Sequence, residues 1–190
     1  MDKSRSKRVR VIFLVLLFSI GTNNLFSQEI YKSSQTEISF FSETPVENID
    51  AISKEGKALL NTKTNELVFI TAIIEFKFKK PLMEEHFNES YMESDHYKTA
   101  YFKGKIIEEV DYSKNGEFSV KARGILNIHG VDKEREIAGT IVIKNGVIEL
   151  NASFDVDLKD HQIKIPKIVV KNIAEKIKVT VQASLLPKII

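Results

Sequence analysis

The sequence contains no cysteine and no tryptophan among its 190 residues, and only eight glycines and four prolines. The absence of cysteine excludes disulfides, zinc–thiolate sites and a lipoprotein anchor on an N-terminal cysteine. Low glycine and proline content argues against a low-complexity chain. A hydrophobic fraction of 43% and a charged fraction of 28% are ordinary for a globular protein. The chain is therefore long enough for one domain, and that domain must be stable through its core alone.

Long hydrophobic runs are also absent, apart from one short run near the N-terminus. Five basic residues precede the apolar stretch from Val11 to Ile20, and a polar stretch ending at Ser27 follows. This order predicts a secretory signal peptide cleaved after Ser27. The apolar run is too short to span a bilayer comfortably, so we predict no stable membrane anchor after cleavage. The predicted organisation is a signal peptide over residues 1–27 and one β-barrel domain over residues 28–190, in a periplasmic or secreted protein.

An excess of positive charge is absent once the leader is removed. The leader holds five of the 28 Lys and Arg residues and one of the 26 Asp and Glu residues, which leaves 23 bases against 25 acids. A formal charge of −2 gives no basic surface for phosphate contacts, so we predict that the protein binds no nucleic acid.

Strict alternation of apolar and polar residues dominates the stretch from Gly116 to Leu158. It predicts three antiparallel strands with one buried and one solvated face. Asn115-Gly116 and Asn145-Gly146 both resemble hairpin turns, in which both residues need positive φ, and His129-Gly130 lies between the first two strands. The predicted inward residues of these strands are Phe118, Val120, Ala122, Leu126, Ile128, Ile137, Ile141, Ile143, Ile148, Leu150, Ala152, Phe154, Val156 and Leu158.

The rest of the chain adds further strands and one helix. The inward parity changes between Ile73 and Ile74, which predicts a bulge or bend in a strand. The stretch from Pro81 to Tyr91 has apolar residues at spacings of three and four and is predicted to be a short α-helix. We predict a mainly β fold of about eight strands, either an up-and-down barrel or a sandwich. A barrel is favoured because it exposes no strand edge.

Recognisable catalytic motifs are absent. His86, His96, His129 and His161 lack metal-ligand spacing, and the sequence has neither a glycine-rich phosphate loop nor a nucleophile elbow. Asp155 alternates onto the solvated face of its strand. We therefore predict no catalytic residue and no metal.

Phenylalanine is abundant, and many of its twelve copies take inward parity. The pattern alone fits two structures equally. One is a packed core, and the other is a barrel lumen lined with aromatic and aliphatic side chains around an apolar ligand.

Two segments resemble the YceI-like family. They are Phe78–Glu89, continued by Tyr91–Asp95 and Ala100–Gly104, and Gly124–Val131 with its His-Gly-Val turn. The resemblance extends from about Gln28 to Leu185. It implies an exported, lipocalin-like antiparallel barrel that binds a polyisoprenoid or similar lipid and is not an enzyme. The turn continues as Asp132-Lys133-Glu134 where the family usually has Thr-Lys-Pro, which we expect to alter only the loop.

The resulting prediction is an exported protein that holds a long-chain, polyisoprenoid-like ligand in the barrel lumen. The predicted lumen wall comprises Phe69, Phe76, Phe78, Phe102 and Phe118, and the predicted contacts to the head group are His86 and Tyr91. The predicted partner is this apolar lipid, a polyisoprenoid or fatty-acyl chain, with no cofactor beyond it; a homodimer is left open.

Two alternatives remain at this point. One is a structural or partner-binding barrel without lipid. The other is an enzyme acting on an apolar substrate, for which His86 or His161 would have to contribute.

Overall fold

The computed structural model describes residues 29–44, 47–165 and 174–188. Its strands are β1 (Ile30–Ser42), β2 (Ile49–Ser53), β3 (Lys57–Asn61), β4 (Glu66–Ala72), β5 (Lys77–Phe78), β6 (Thr99–Ile106), β7 (Gly116–Ile128), β8 (Val131–Lys144), β9 (Val147–Asp157) and β10 (Lys176–Pro187). The helix α1 (Pro81–His86) continues as a π-helical turn (Phe87–Tyr91). Two 3-10 turns occupy Ile73–Glu75 and Leu158–His161.

The ten strand segments form a closed antiparallel barrel of eight strands. β2 and β3 lie end to end along β1, and β4 and β5 likewise follow one another along β3 and β2. β10 pairs with both β9 and β1, which closes the sheet on itself. The mainly β barrel with one short α-helix is therefore confirmed, and the sandwich alternative is wrong.

The predicted change of parity occurs between β4 and β5. Thr71 and Ile73 are buried, Ile74 is exposed, and Phe76 is buried again. The 3-10 turn Ile73–Glu75 accommodates one extra residue. The inward-facing parity therefore changes through a helical turn rather than a bulge. This break leads the chain to the end of the barrel where α1 begins. We call this end, which also holds the β7–β8 turn, the upper end, and the opposite end the lower end.

Two of the three predicted tight turns are present. His129 and Gly130 have φ of 53° and 72°, and Asn145 and Gly146 have φ of 52° and 78°. Positive φ at both residues is the conformation of a type I′ hairpin turn. The prediction for Asn115-Gly116 is wrong, because β6 ends at Ile106 and residues 107–115 form a longer connection to β7.

The alternation predicted for β7, β8 and β9 is confirmed by burial. Their inward side chains Val120, Ala122, Leu126, Ile137, Ile141, Ile143, Ile148, Leu150 and Val156 are buried, and Phe118, Ile128, Ala152 and Phe154 are partly buried against the same core. The intervening residues face solvent or are only half-buried, except Asn127, which is buried and donates a hydrogen bond of 2.6 Å to Asp132 Oδ1.

The lower end of the barrel is closed by packing. Leu60, Ile148 and Leu185 have no exposed surface there. Tyr112, on the connection between β6 and β7, donates a hydrogen bond of 3.0 Å to Asn65 Oδ1. Burial raises the pKa of Tyr112 to about 12. This end therefore offers no entrance to the interior.

No helix within residues 29–44, 47–165 and 174–188 has the length and apolar character needed to cross a bilayer.

Candidate functional site: a cavity inside the barrel

The barrel encloses a cavity of about 490 Å³ with an almost entirely apolar lining. Ile106 and Val120 lie at its lower end. Along β7 it extends from Val120 to Ile128. At about 3.3 Å per residue and a tilt of about 40°, those eight steps correspond to a depth of about 20 Å. The cavity is therefore narrow and elongated along the barrel axis.

Small inward residues keep part of this volume open. Gly139 on β8 pairs with Val120 on one side and with Ala152 on the other. A Cβ atom at Gly139 would lie 2.5 Å from the carbonyl oxygen of Asn151, so the strands approach too closely for a side chain. Gly139, Ala122 and Ala152 all line the cavity. Since these positions carry little or no side chain, the interior is left unfilled beside them.

Four phenylalanine rings pack together at the upper end of the cavity. Phe40 and Phe87 are stacked with ring centroids 5.4 Å apart. Phe76 and Phe78 contact both of them, at centroid distances of 5.0–5.8 Å. Such tilted and stacked aromatic pairs each contribute about 1 kcal/mol beyond their buried area. The four rings form an apolar cluster, which we call the aromatic collar.

The helix α1 borders the same end. Glu84 accepts hydrogen bonds from Lys77 Nζ at 2.8 Å and from the backbone N–H of Phe78 at 3.2 Å, which fastens the helix to β5. The hydrogen bond from Lys77 is the main reason that the pKa of Glu84 lies below its usual range. Anchored in this way, the helical segment turns Met83, His86, Phe87 and Tyr91 toward the cavity.

The predicted site residues do not all line the cavity. Phe69, Phe76, Phe78 and Phe102 line the cavity, whereas Phe118 is not among the lining residues and packs at the closed end of the core. His86 and Tyr91 both lie at the upper end, on the helical segment. Four of the five predicted wall residues and both predicted mouth residues therefore line one cavity.

Other lining residues were missed by the sequence analysis. Phe154 was predicted to face inward but was not assigned to the site, and Phe40 and Phe87 were not assigned to it either. The sequence did indicate Phe87, because Phe87 lies four residues before Tyr91 and so shares one helical face with it. The small residues Gly139 and Ala152 carry no comparable signal.

The polar groups at the mouth are largely paired with one another. Lys77 lies 2.8 Å from Glu84, and Lys79 lies 2.9 Å from Asp50. Lys80 forms an ion pair with Glu47. Every lysine between Lys77 and α1 therefore has a carboxylate partner.

Tyr91 is one of the uncharged polar residues on the wall and lies near the mouth. Its side chain is half-buried, and desolvation raises the pKa of its hydroxyl. No described residue forms a hydrogen bond with this hydroxyl, and Tyr91 lines the cavity, so the hydroxyl is available to a ligand at the mouth.

The two histidines named for the enzyme alternative lie in different parts of the structure. His86 is exposed at the mouth, whereas His161 is fully buried beneath the β7–β8 turn and does not line the cavity. Within the described ranges no three His, Asp or Glu side chains cluster closely enough to hold a metal ion.

Comparisons with known proteins agree with this architecture. The structure is similar to a polyisoprenoid-binding domain from Saccharophagus degradans, with a TM-score of 0.71 and 11% identity over 83% of this chain and 98% of that one. It is also similar to BcnA from Burkholderia cenocepacia, with a TM-score of 0.66 and 10% identity over 78% and 95% of the two chains. The YceI protein of Campylobacter jejuni has a TM-score of 0.59 and 14% identity over 75% and 86%.

At these identities the structural likeness establishes the fold alone. No curated protein sequence gives a significant match. The YceI-like domain, however, matches residues 31–185, which is most of the chain. This protein belongs to the YceI-like family.

Proposed function

We propose that this protein is an exported lipid-binding protein that holds one long, polyisoprenoid-like chain in its barrel lumen. The observation that carries the proposal is the elongated cavity of about 490 Å³. Protein interiors normally pack as densely as organic crystals and contain few voids larger than a water molecule. An apolar void of this size in a barrel closed at its lower end is suited to an apolar guest.

The energetics favour such a guest. Each methylene transferred from water to the cavity contributes about 0.8 kcal/mol, so ten of them contribute about 8 kcal/mol before the entropic cost of association is subtracted. The aromatic collar and the aliphatic wall supply this term without any charged contact. The similarity to a domain described as polyisoprenoid-binding supports the same ligand class for this chain.

The two alternatives receive less support from the geometry. An enzyme acting on an apolar substrate needs adjacent polar groups inside the lumen, but His86 lies at the mouth and His161 lies outside the cavity. A filled structural barrel needs bulky inward residues where Gly139 and Ala152 stand. Binding, rather than catalysis or scaffolding, is therefore the function that we propose.

Native mass spectrometry of protein purified without detergent tests lipid binding. We expect a retained lipid, and after delipidation we expect rebinding of added geranylgeraniol. Ala122→Phe should abolish rebinding because it fills the lumen, whereas Ala138→Phe, on the outer face of β8, should bind normally. A bare mass together with no rebinding by the wild-type protein would favour the filled-barrel alternative.

Export is a separate part of the proposal and rests on the leader sequence. Expression with the native leader in a Gram-negative host should yield a periplasmic protein whose N-terminus lies within a few residues of Gln28. N-terminal sequencing of the periplasmic fraction measures this. Retention of the uncleaved chain in the membrane fraction would contradict export as a free protein.

A further inference from the structure

We infer that the cavity selects a single-chain lipid of about 20 carbons or fewer with an uncharged polar head group. The inference rests on the lipid-binding function proposed above and narrows its ligand class. Two independent observations carry it: the size and shape of the lumen, and the state of the charges at its mouth.

The volume limits the length of chain that can be buried. An apolar cavity of about 150 Å³ accommodates one benzene ring, which has six carbons. On that scale the cavity of about 490 Å³ accommodates about 20 carbons. The additional carbons of a longer chain would remain in water and would add little affinity.

The shape limits the number of chains. Spread over a depth of about 20 Å, a volume of about 490 Å³ gives a mean cross-section of about 25 Å². Hydrocarbon atoms keep about 4 Å from their neighbours, so this section admits one chain rather than two side by side. Two-chain phospholipids are excluded by the same dimension.

The closed lower end fixes the direction of entry. Leu60, Ile148 and Leu185 are fully buried there, so a chain enters with its apolar end first. The head group then lies at the upper end, among the residues of the helical segment and the loop before β2. His86, Tyr91 and Glu47 all line that end.

The charges beside α1 disfavour an anionic head group there. A pyrophosphate needs cations that are free to pair with it. Lys77, Lys79 and Lys80 already pair with Glu84, Asp50 and Glu47. A bound pyrophosphate would have to displace a carboxylate or lie beside it, and like charges at short range repel.

The same surroundings suit an uncharged head group. The hydroxyl of Tyr91 is half-buried and forms no hydrogen bond with a described residue, so it can donate to an alcohol, carbonyl or amide oxygen. Burial raises the pKa of this hydroxyl, so it keeps its proton at neutral pH. A neutral oxygen is thus a good match for this donor at the mouth of the described cavity.

The test is direct competition on delipidated protein, read by native mass spectrometry. Equimolar geranylgeraniol and geranylgeranyl pyrophosphate are compared first, and then geranylgeraniol against the 40-carbon octaprenol. We expect the alcohol to be bound about tenfold more than the pyrophosphate, and octaprenol to be bound no better than geranylgeraniol. Preference for the pyrophosphate, or preference for octaprenol, would overturn the inference while leaving lipid binding intact. Binding of none of the three probes would instead overturn the proposed function.

Variants at the mouth test the charge argument separately. Asp50→Asn and Glu47→Gln each free one lysine, and we expect each to shift the competition at least threefold toward the pyrophosphate. Glu29→Gln is the matched control, because Glu29 pairs with Lys63 at 3.2 Å at the closed end of the barrel. If the mouth variants behave like this control, ion pairing at the mouth does not set the head-group preference and that part of the inference is overturned.

Discussion

His129 Nδ1 lies 3.2 Å from the backbone carbonyl oxygen of His161. In return, His161 Nδ1 lies 3.2 Å from the carbonyl oxygen of Val131, so the two histidines fasten the turn after β9 to the β7–β8 hairpin. The positive φ of His129, at 53°, places its ring for this contact. Tyr97 packs against the His129 ring, with the two ring centroids 4.1 Å apart. Neither histidine lines the cavity, so the pair stabilises the upper rim of the barrel rather than contacting a ligand.

The first prediction concerns pH and His161. Burial is the main reason that the pKa of His161 is lowered, although the carbonyl groups of Val131 and Ile128 and the Asp160 carboxylate oppose it. The unfolded chain, with an ordinary pKa near 6.5, therefore takes up this proton before the folded protein does as pH falls. The contribution to the free energy of unfolding is complete above about pH 6.5 and decreases below it.

Urea unfolding at pH 5, 6, 7 and 8 measures this dependence. His161→Gln should be less stable at pH 8, by about 1–3 kcal/mol, because a buried hydrogen bond is disturbed. It should also lose part of the decrease in stability seen in the wild type below pH 6.5. His96→Gln, at an exposed position, is the control. An unchanged pH dependence in His161→Gln would show that another group is responsible.

The second prediction compares neighbouring residues on opposite faces of β9. Phe154 lines the cavity and Asp155 is exposed. Phe154→Asp should lower the free energy of unfolding by about 3 kcal/mol or more, because it removes a large apolar side chain and places a carboxylate in an apolar lumen. Asp155→Asn should change it by less than about 0.5 kcal/mol. Similar losses in thermal melts of the two variants would mean that the register of β9 is wrong.

The third prediction concerns glycine at a close approach between strands. Gly104 and Gly124 pair directly across β6 and β7, and a Cβ atom at Gly124 would lie 2.2 Å from the carbonyl oxygen of Lys103. Gly124→Ala must therefore displace backbone. We expect it to cost more than about 3 kcal/mol and to reduce the yield of folded protein.

Gly146→Ala provides the matched comparison. Gly146 has a φ of 78° but no atom within 4 Å of the added Cβ, so only backbone strain of about 1 kcal/mol opposes the substitution. Chemical denaturation of both variants gives the two values. Equal losses would show that strand spacing at Gly124 is not limiting.

The fourth prediction concerns the wall of the cavity. Phe102 lines the lumen, whereas Phe118 packs at the closed end of the core. Phe102→Trp should shorten the longest alcohol that binds at full affinity, because the larger ring occupies lumen volume. Phe118→Trp should leave that limit unchanged. Titration of delipidated protein with alcohols of graded length measures the limit, and an equal effect of both variants would contradict the position of the cavity floor.

Much of the fold could be predicted because local patterns coincide with the final structure. Period-two alternation on β7, β8 and β9 identified the inward faces, and Asn145-Gly146 identified a turn by its conformational requirement. Asn115-Gly116 failed because turn propensity is local, whereas the end of β6 is set by its pairing with β7 up to Ile106 and Ala122. The change of parity after Ile73 was visible in the sequence, but its form as a 3-10 turn was not.

The candidate site was predicted less completely. Inward parity places a residue on the buried side of a strand without specifying its height along the barrel, which is why Phe118 could not be told apart from Phe102. Height depends on the stagger between strands, and that stagger is established only when β10 pairs with β1. Phe40 and Phe87, distant in sequence, become stacked partners through the pairing of β1 with β2 and of β2 with β5, which directly precedes α1.

The sequence by itself determined the strand faces, the position of the helix and the absence of disulfides, because these depend on neighbouring residues and composition. Tertiary structure alone decided whether the interior is filled or open. Gly139 and Ala152 are ordinary small residues in the sequence, and they leave a void only because the closed barrel places them beside one another on adjoining strands. The pairing of Lys79 with Asp50 and of Lys80 with Glu47 was likewise decided by the fold, since the partners are about 30 residues apart along the chain. Ion pairs and cavities are properties of the distances between strands, and those distances become fixed only when the strands pair in the folded sheet.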